Sequence, residues 1–163
     1  MPSVAEPRKT LSEAEVWAVE SHAVPGAAYW SQVVDLGGGL RISLGRNTPP
    51  WLYTVLGRLQ HLIALRPNWD SYGARPIDPN AVVYALEFMR TSLPHEGKAP
   101  QIVPTSTGGL QLEWHANGVD LEVEVDPSGD VSLSFDRAGR TEERTGSALA
   151  TEDLEPFVAS AAA

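Results

Sequence analysis

The stretch Leu110–Val125, which reads LQLEWHANGVDLEVEV, decides the fold of this chain. Apolar residues occupy every second position on both sides of the pair Asn117-Gly118. Such alternation is typical of a strand with one buried face, and Asn-Gly favours a two-residue hairpin turn because both residues tolerate positive φ. With the turn at this pair, Trp114 lies opposite Leu121, and the two apolar sets share one face. The sequence therefore predicts a β-hairpin of defined register.

A third strand continues this pattern. The loop Pro127-Ser128-Gly129 leads into Val131–Phe135, where apolar residues again alternate with serines. Pairing Val125 with Val131 places the apolar residues of all three strands on one side. A sheet with one apolar face has to be covered by another layer, and helices predicted upstream are the candidates.

Two helices are predicted between residues 48 and 94. The first begins at Thr48-Pro49-Pro50, since proline fits the first helical turn, and ends near Arg66-Pro67. The second begins at Asp78, a capping residue followed by proline, and ends at Leu93-Pro94. The predicted fold is α+β, an antiparallel β-meander of three to five strands with two central helices packed on one face.

Residues 1–163 are predicted to form a single α+β domain. The two ends of the chain have a less regular pattern than its middle. Residues 1–9 are predicted to be a flexible arm, and Ser12 and Glu15 form a capping box for a short helix. Residues 137–163 lose periodicity and are predicted to be a weakly ordered tail, in which residues 151–154 can cap a last short helix.

A hairpin is predicted around the three glycines Gly37–Gly39. The segment Leu40–Leu44 alternates like a half-buried strand, and the glycines can turn the chain into it from Trp30–Leu36. This hairpin either extends the main sheet or forms a separate small layer.

The composition excludes several classes of protein. The chain has 163 residues, of which 42% are hydrophobic and 20% charged, as expected for one globular domain. The absence of cysteine excludes disulfides and thiolate metal sites. No apolar run approaches the roughly 20 residues that span a bilayer. We therefore expect a cytoplasmic protein with no membrane association and no cofactor.

The net charge of −9 is concentrated in the second half of the chain. Residues 1–75 carry 7 Lys and Arg against 6 Asp and Glu, whereas residues 76–163 carry 5 against 15. An acidic surface repels nucleic-acid phosphates and attracts a basic protein. The charge favours a basic protein partner and disfavours direct binding of nucleic acid.

Polar residues of the predicted hairpin point away from its apolar face and form a candidate partner-binding surface. These residues are Gln111, Glu113, His115, Asp120, Glu122 and Glu124. The predicted register sets Glu113 opposite Glu122, and opposed carboxylates destabilise a sheet. A basic partner would relieve that repulsion. The sequence therefore favours a non-catalytic protein-binding module, of the kind found in antitoxin-like or inhibitor-like proteins.

Three other interpretations of this acidic surface remain open. The surface can simply be solvated, with its long side chains spread apart in water. A metal-dependent hydrolase could use Glu113, His115, Asp120, Glu122 and Glu124, although carboxylates in a row along extended strands do not resemble a curved calcium loop, and we predict no metal site. A structural protein could also form homo-oligomers through a sheet edge or a helix face.

The connector Asn68–Ala74 between the two helices is rich in turn-forming and aromatic residues. Ser71, Asp70 and the upstream His61 are residue types found in nucleophilic catalysis, but no nucleophile-elbow pattern surrounds them. The connector is interpreted as structural, with Trp69 and Tyr72 packed at the edge of the core and Asp70 bonded to local backbone amides.

Two motifs resemble those of a family of small uncharacterised bacterial proteins. One is the Trp-Asp-x-Tyr-Gly-Ala turn at residues 69–74, and the other is the Gly-Gly-x-Gln-Leu-Glu-Trp strand at residues 108–114. The resemblance covers roughly residues 50–136. It implies a bacterial or phage origin and carries no catalytic residue or cofactor to this chain.

Overall fold

A computed structural model describes residues 32–163 as ten elements of regular structure. The strands are β1 (Gln32–Gly37), β2 (Leu40–Leu44), β3 (Gln101–Pro104), β4 (Leu110–Ala116), β5 (Val119–Val125), β6 (Asp130–Arg137) and β7 (Arg140–Ser147). The helices are α1 (Pro50–Ile63), α2 (Pro79–Ser92) and α3 (Glu155–Ala161). The predicted α+β class is confirmed. The predicted arm 1–9 and the capping box of Ser12 and Glu15 lie outside the described residues.

The strands form two antiparallel sheets. β1 and β2 pair with each other in a two-stranded sheet, so the predicted hairpin is a layer separate from the main sheet. The main sheet has the order β3-β4-β5-β6-β7, and each strand pairs with its neighbour in sequence. The predicted register is confirmed, since Trp114 pairs with Leu121 and Val125 with Val131.

Alternation along β4, β5 and β6 gives the main sheet one buried face. Leu112, Leu121 and Val123 on this inner face are fully shielded from solvent. Trp114 is 3% exposed, and its indole Nε1 donates a hydrogen bond to the Lys98 carbonyl at 2.9 Å. A single cluster of buried side chains connects this face to residues of all three helices. The register read from the sequence therefore places the apolar half of each strand in the core.

Each of the two longer helices has a proline at its first residue, where a missing N–H costs no intrahelical hydrogen bond. In α2 the Asp78 carboxylate accepts a hydrogen bond from the Asn80 amide at 2.8 Å, as predicted for a capping residue. In α1 the N-cap is Pro49, whose side chain makes no capping bond. The indole of Trp51 donates to the Pro94 carbonyl at 3.1 Å, which ties the start of α1 to the chain after α2.

Two parts of the structure differ from the sequence-based expectation. β3 was not predicted, because its four residues are too short to show alternation; Arg58 of α1 donates to the Ile102 carbonyl of this strand at 3.0 Å. Residues 137–163, predicted to be weakly ordered, contain β7 and α3. β7 shows no alternation because both of its faces are exposed, whereas Leu154 and Val158 of the last helical segment are buried.

No helix among residues 32–163 is both long enough and apolar enough to cross a membrane.

Candidate functional site

The face of the main sheet that points away from the core is called the outer face here. Strand pairing arranges its side chains in three rows that cross the strands. The rows are Gln101–Glu113–Glu122–Ser134–Glu143, then Val103–Gln111–Glu124–Ser132–Thr145, and finally His115–Asp120–Asp136–Thr141. All six predicted partner-binding residues therefore lie on one surface.

The arginines of β3–β7 lie on the inner side, which also carries one carboxylate, Glu142, paired with Arg144 at 2.8 Å. At the outer positions of these strands the charged residues are carboxylates, and none is lysine or arginine. Two arginines of this region lie on the other side, against α3. Arg137 donates to the Ser160 hydroxyl at 2.6 Å, and the Arg144 guanidinium lies 5.4 Å from the ring centre of Phe157. The negative charge of the outer face is thus not neutralised by cations of its own strands.

His115 is the one titratable nitrogen at the outer positions of β3–β7, and it lies between two carboxylates. Its Nδ1 is 2.8 Å from Asp120 Oδ1, and its Nε2 is 3.6 Å from Glu113 Oε2. The hydrogen bond with Asp120, reinforced by Glu113 and opposed by slight desolvation, raises the pKa of His115 above its ordinary value of 6.5. Protonation of His115 would therefore offset part of the acidic charge at this end of the face.

The predicted residues differ in how their side chains are engaged. Gln111 and Glu113 are half-buried, and the Gln111 amide donates to Glu113 Oε1 at 3.1 Å. Glu122 and Glu124 are exposed, and no ion pair or hydrogen bond engages their side chains within residues 32–163. Glu113 and Glu122 are directly opposed, as are Asp120 and Asp136 on the neighbouring strands. The exposed and unpaired carboxylates are the ones open to a partner.

An open depression of about 580 Å³ lies at the end of the outer face near the β5–β6 loop, lined by Glu124, Asp126, Asp130, Val131, Ser132, Thr145 and Gly146. Burial raises the pKa of Asp126, but hydrogen bonds from the Ser128 hydroxyl and from the backbone amides of residues 128–130 outweigh it and lower that pKa overall. The Asp126 carboxylate is therefore engaged in shaping the loop, whereas no hydrogen bond or ion pair within residues 32–163 engages the side chain of Glu124.

The possible metal ligands of the described residues do not converge on one point. Among residues 32–163, no group of three or more His, Asp or Glu side chains is placed to hold a metal ion. The carboxylates of the outer face follow extended strands, and their spacing follows the sheet instead of curving around one point.

The connector Asn68–Ala74 is a closed and heavily bonded loop. The Asn68 amide donates to the Ala74 carbonyl at 2.7 Å, and the Asn68 side chain accepts from the Gly73 amide at 2.7 Å. Asp70 Oδ1 accepts from the amides of Tyr72 at 2.8 Å and Ala74 at 3.0 Å. These bonds, first from Tyr72 and then from Ala74, lower the pKa of Asp70. The predicted role of Asp70 in the local backbone is confirmed.

Tyr72 does not take the position that the sequence predicts for it. Its side chain is 94% exposed, the highest value among the large hydrophobic residues of the described chain, so its predicted packing at the core edge is wrong. Ser71, the residue before it, has φ 66°, a region that residues other than glycine seldom adopt. Sequence reasoning missed this exposed aromatic because the turn chemistry of the motif does not indicate which side chain points to solvent.

The chain that follows the connector lies beside the segment that precedes β4. The Arg75 amide donates to the Ser106 carbonyl at 3.0 Å, and the Asp78 amide donates to the Gly108 carbonyl at 2.9 Å. A Cβ at Gly108 would lie 2.9 Å from the Pro76 carbonyl, and one at Gly109 would lie 2.7 Å from the Val125 carbonyl. Close backbone approach therefore accounts for the two glycines that precede β4.

Comparisons with protein-family models, with curated proteins and with solved structures each find no match for this chain.

Proposed function

We propose that this protein is a non-catalytic binding module whose outer acidic face engages a basic protein partner. The observation that carries the proposal is the sorting of charge: within β3–β7 the outer positions hold carboxylates, while Arg137 and Arg144 lie against α3. Such a face raises the local concentration of a cationic partner and speeds its association. Antitoxin-like and inhibitor-like proteins are the classes that this behaviour fits.

The scaffold of this proposal is a five-stranded meander with helices on its apolar face. A sheet that is rigid on its inner side holds the carboxylates at fixed strand spacing, which sets Glu122 opposite Glu113. The mutual repulsion of these carboxylates is present before binding and is relieved when a cation reaches them. Relief of repulsion would therefore add to the direct attraction of the partner. The proposed compartment is the cytoplasm and the proposed origin bacterial or phage, as the sequence predicts.

The test compares two pairs of substitutions that remove the same charge. The site variant is Glu122→Gln with Glu124→Gln, because both side chains are exposed and have no hydrogen bond or ion pair with the described residues. The control is Glu152→Gln with Asp153→Asn, at two exposed positions between β7 and α3. Proteins retained on immobilised wild type from a bacterial lysate, and identified by mass spectrometry, are then tested for binding to each purified variant.

We expect one basic partner to bind the control as it binds wild type and to lose affinity for the site variant. The association rate should fall more than the dissociation rate rises if the carboxylates lie at the rim of the interface, and raising the salt concentration should slow association. A partner that is itself acidic, or one that binds both variants equally, would reject the proposal. Stoichiometric binding of a divalent metal, abolished by Glu122→Gln, would favour the hydrolase alternative instead.

A further inference from the structure

The outer edge of β7 offers an unpaired strand. β7 is the last strand of the main sheet and pairs with β6 from Arg140 to Ser147 without a shift in register. Within residues 32–163, its opposite edge is engaged only where Ser147 forms a single bridge with Ala150. An unpaired edge of this length is a template for another strand.

Turn geometry shows which backbone groups this edge presents. Ala138 and Gly139 have φ values of 55° and 77°, as in a type I′ turn, and the residues that close such a turn are hydrogen-bonded to each other. Hydrogen-bonding direction alternates along an antiparallel strand, so every second residue from Arg140 onward bonds to β6. The N–H and C=O groups that point away from β6 therefore belong to Thr141, Glu143 and Thr145.

We propose that β7 pairs with the β7 strand of a second copy of this chain, antiparallel and about a two-fold axis at Glu143. In this register Glu142 lies opposite the partner's Arg144, and Thr141 lies opposite the partner's Thr145. Symmetry repeats both contacts, so the dimer contains two pairs of each kind. Opposite charges and paired threonines are favourable cross-strand neighbours.

The charge pattern of β7 selects this register over its neighbours. A shift by two residues in one direction sets Glu142 opposite its own symmetry mate and Arg140 opposite the partner's Arg144. A shift in the other direction sets Arg144 opposite its own symmetry mate. Both alternatives oppose like charges on the inner side of the strand, and like charges directly opposite destabilise. The strand is thus complementary to itself in one antiparallel alignment.

The surroundings of β7 leave room for a second strand. All of its residues are exposed except the half-buried Ser147, although on the inner side the Arg144 guanidinium lies over the Phe157 ring of α3 and pairs with Glu142 of the same strand at 2.8 Å. Pairing would join the outer faces of two molecules into one continuous acidic surface. It would also bring two copies of Glu143 together on that surface, and their repulsion makes the dimer weak and sensitive to salt. Glu143→Gln should therefore strengthen dimerisation.

Single cysteines provide a direct test, because the chain has no cysteine of its own. In the proposed register Glu143→Cys places two Cα atoms about 5.5 Å apart, within the range that a disulfide spans. Thr141→Cys and Thr145→Cys are matched controls on the same edge, since each lies roughly 13 Å along the strand from its symmetry mate. Mild oxidation should convert most of the Glu143→Cys protein to a covalent dimer and leave both controls monomeric.

Exchanging the charges of Glu142 and Arg144 tests the dimer independently, and analytical ultracentrifugation measures its dissociation constant. Arg144→Glu should raise the dimer dissociation constant by about tenfold, because two favourable pairs become two repulsive ones. Combining it with Glu142→Arg should restore the wild-type value while keeping the same composition of charges. Far-ultraviolet circular dichroism checks that each variant is folded. Equal cross-linking of all three cysteine variants, a wild-type protein that stays monomeric at every concentration, or failure of the double exchange to rescue would overturn the proposal.

Discussion

The β4–β5 and β6–β7 hairpins share a turn geometry but have opposite surroundings. Asn117 and Gly118 have φ values of 56° and 71°, and Ala138 and Gly139 have 55° and 77°. After the first turn β5 alternates strictly between buried and exposed residues, whereas after the second β7 is exposed until its last residue. Alternation in a sequence therefore indicates that one face of a strand is buried. A strand with both faces exposed shows no alternation.

Pairing to β6 accounts for β7, although nearly all of its residues are exposed. Its whole length forms a ladder with β6, and the Thr141 hydroxyl donates to the Asp136 carboxylate at 2.8 Å. Each residue beyond the turn adds a further contact with a strand that the core already holds in place. A strand can therefore form at the edge of a stable sheet even when its own residues show no apolar pattern.

The largest difference between the two hairpins is expected from side-chain truncation. Trp114→Ala should lower the free energy of unfolding by about 3–5 kcal/mol, because it removes a large aromatic ring from the core and one hydrogen bond. Thr145→Ala in β7 should change it by less than about 0.5 kcal/mol, since that residue is exposed. Chemical denaturation measures both values, and an unchanged midpoint for Trp114→Ala would show that the inner face is assigned wrongly.

A smaller effect is expected from exchanging the first residues of the two turns. Asn117→Ala should destabilise by about 1 kcal/mol, because alanine adopts positive φ less readily than asparagine. Ala138→Asn should stabilise by about 0.5 kcal/mol for the same reason. Denaturation of the two single variants gives the comparison. Shifts of the same sign in both variants would contradict a shared turn geometry.

The smallest expected effect is a change in the pKa of His115, which lies two residues before Asn117. The bond with Asp120 holds the pKa of His115 above 6.5, so Asp120→Asn should lower that pKa toward its ordinary value. His95 serves as the control, because its pKa is raised by Glu96 and by the Asn47 carbonyl and should not respond to Asp120→Asn. Proton NMR titration of the imidazole signals measures both values.

The direction of the pH dependence follows from the raised pKa. A histidine whose pKa is higher in the folded state stabilises the fold fully below its unfolded pKa, and this contribution is lost as the pH rises through the folded pKa. Binding of a basic partner has the opposite dependence, because a neutral His115 leaves the outer face more negative. A His115 that titrates at or below 6.5 would contradict both statements.

Much of the core sheet follows from local patterns, but the outer face and the exposed side of the connector follow from them only in part. Alternation and the Asn117-Gly118 turn are enough to place Glu113 opposite Glu122, because a side-chain period of two leaves one register that buries the apolar set. The same rules do not reveal that Glu143 joins this surface, since β7 carries no alternation. They also do not show which ring of the connector faces solvent, because the exposure of Tyr72 depends on a backbone conformation closed by several hydrogen bonds.

The sequence by itself determined the α+β class, the register from β4 to β6, and the starts of α1 and α2. Each of these depends on rules that act over a few residues: strand periodicity, turn preference and helix capping. Only the tertiary structure decided that β3 and β7 complete the sheet, and that Arg137 and Arg144 lie against α3 while the carboxylates of β4, β5 and β6 face outward. Edge pairing and the sorting of charge between two faces depend on contacts between distant segments, and no local pattern records those contacts.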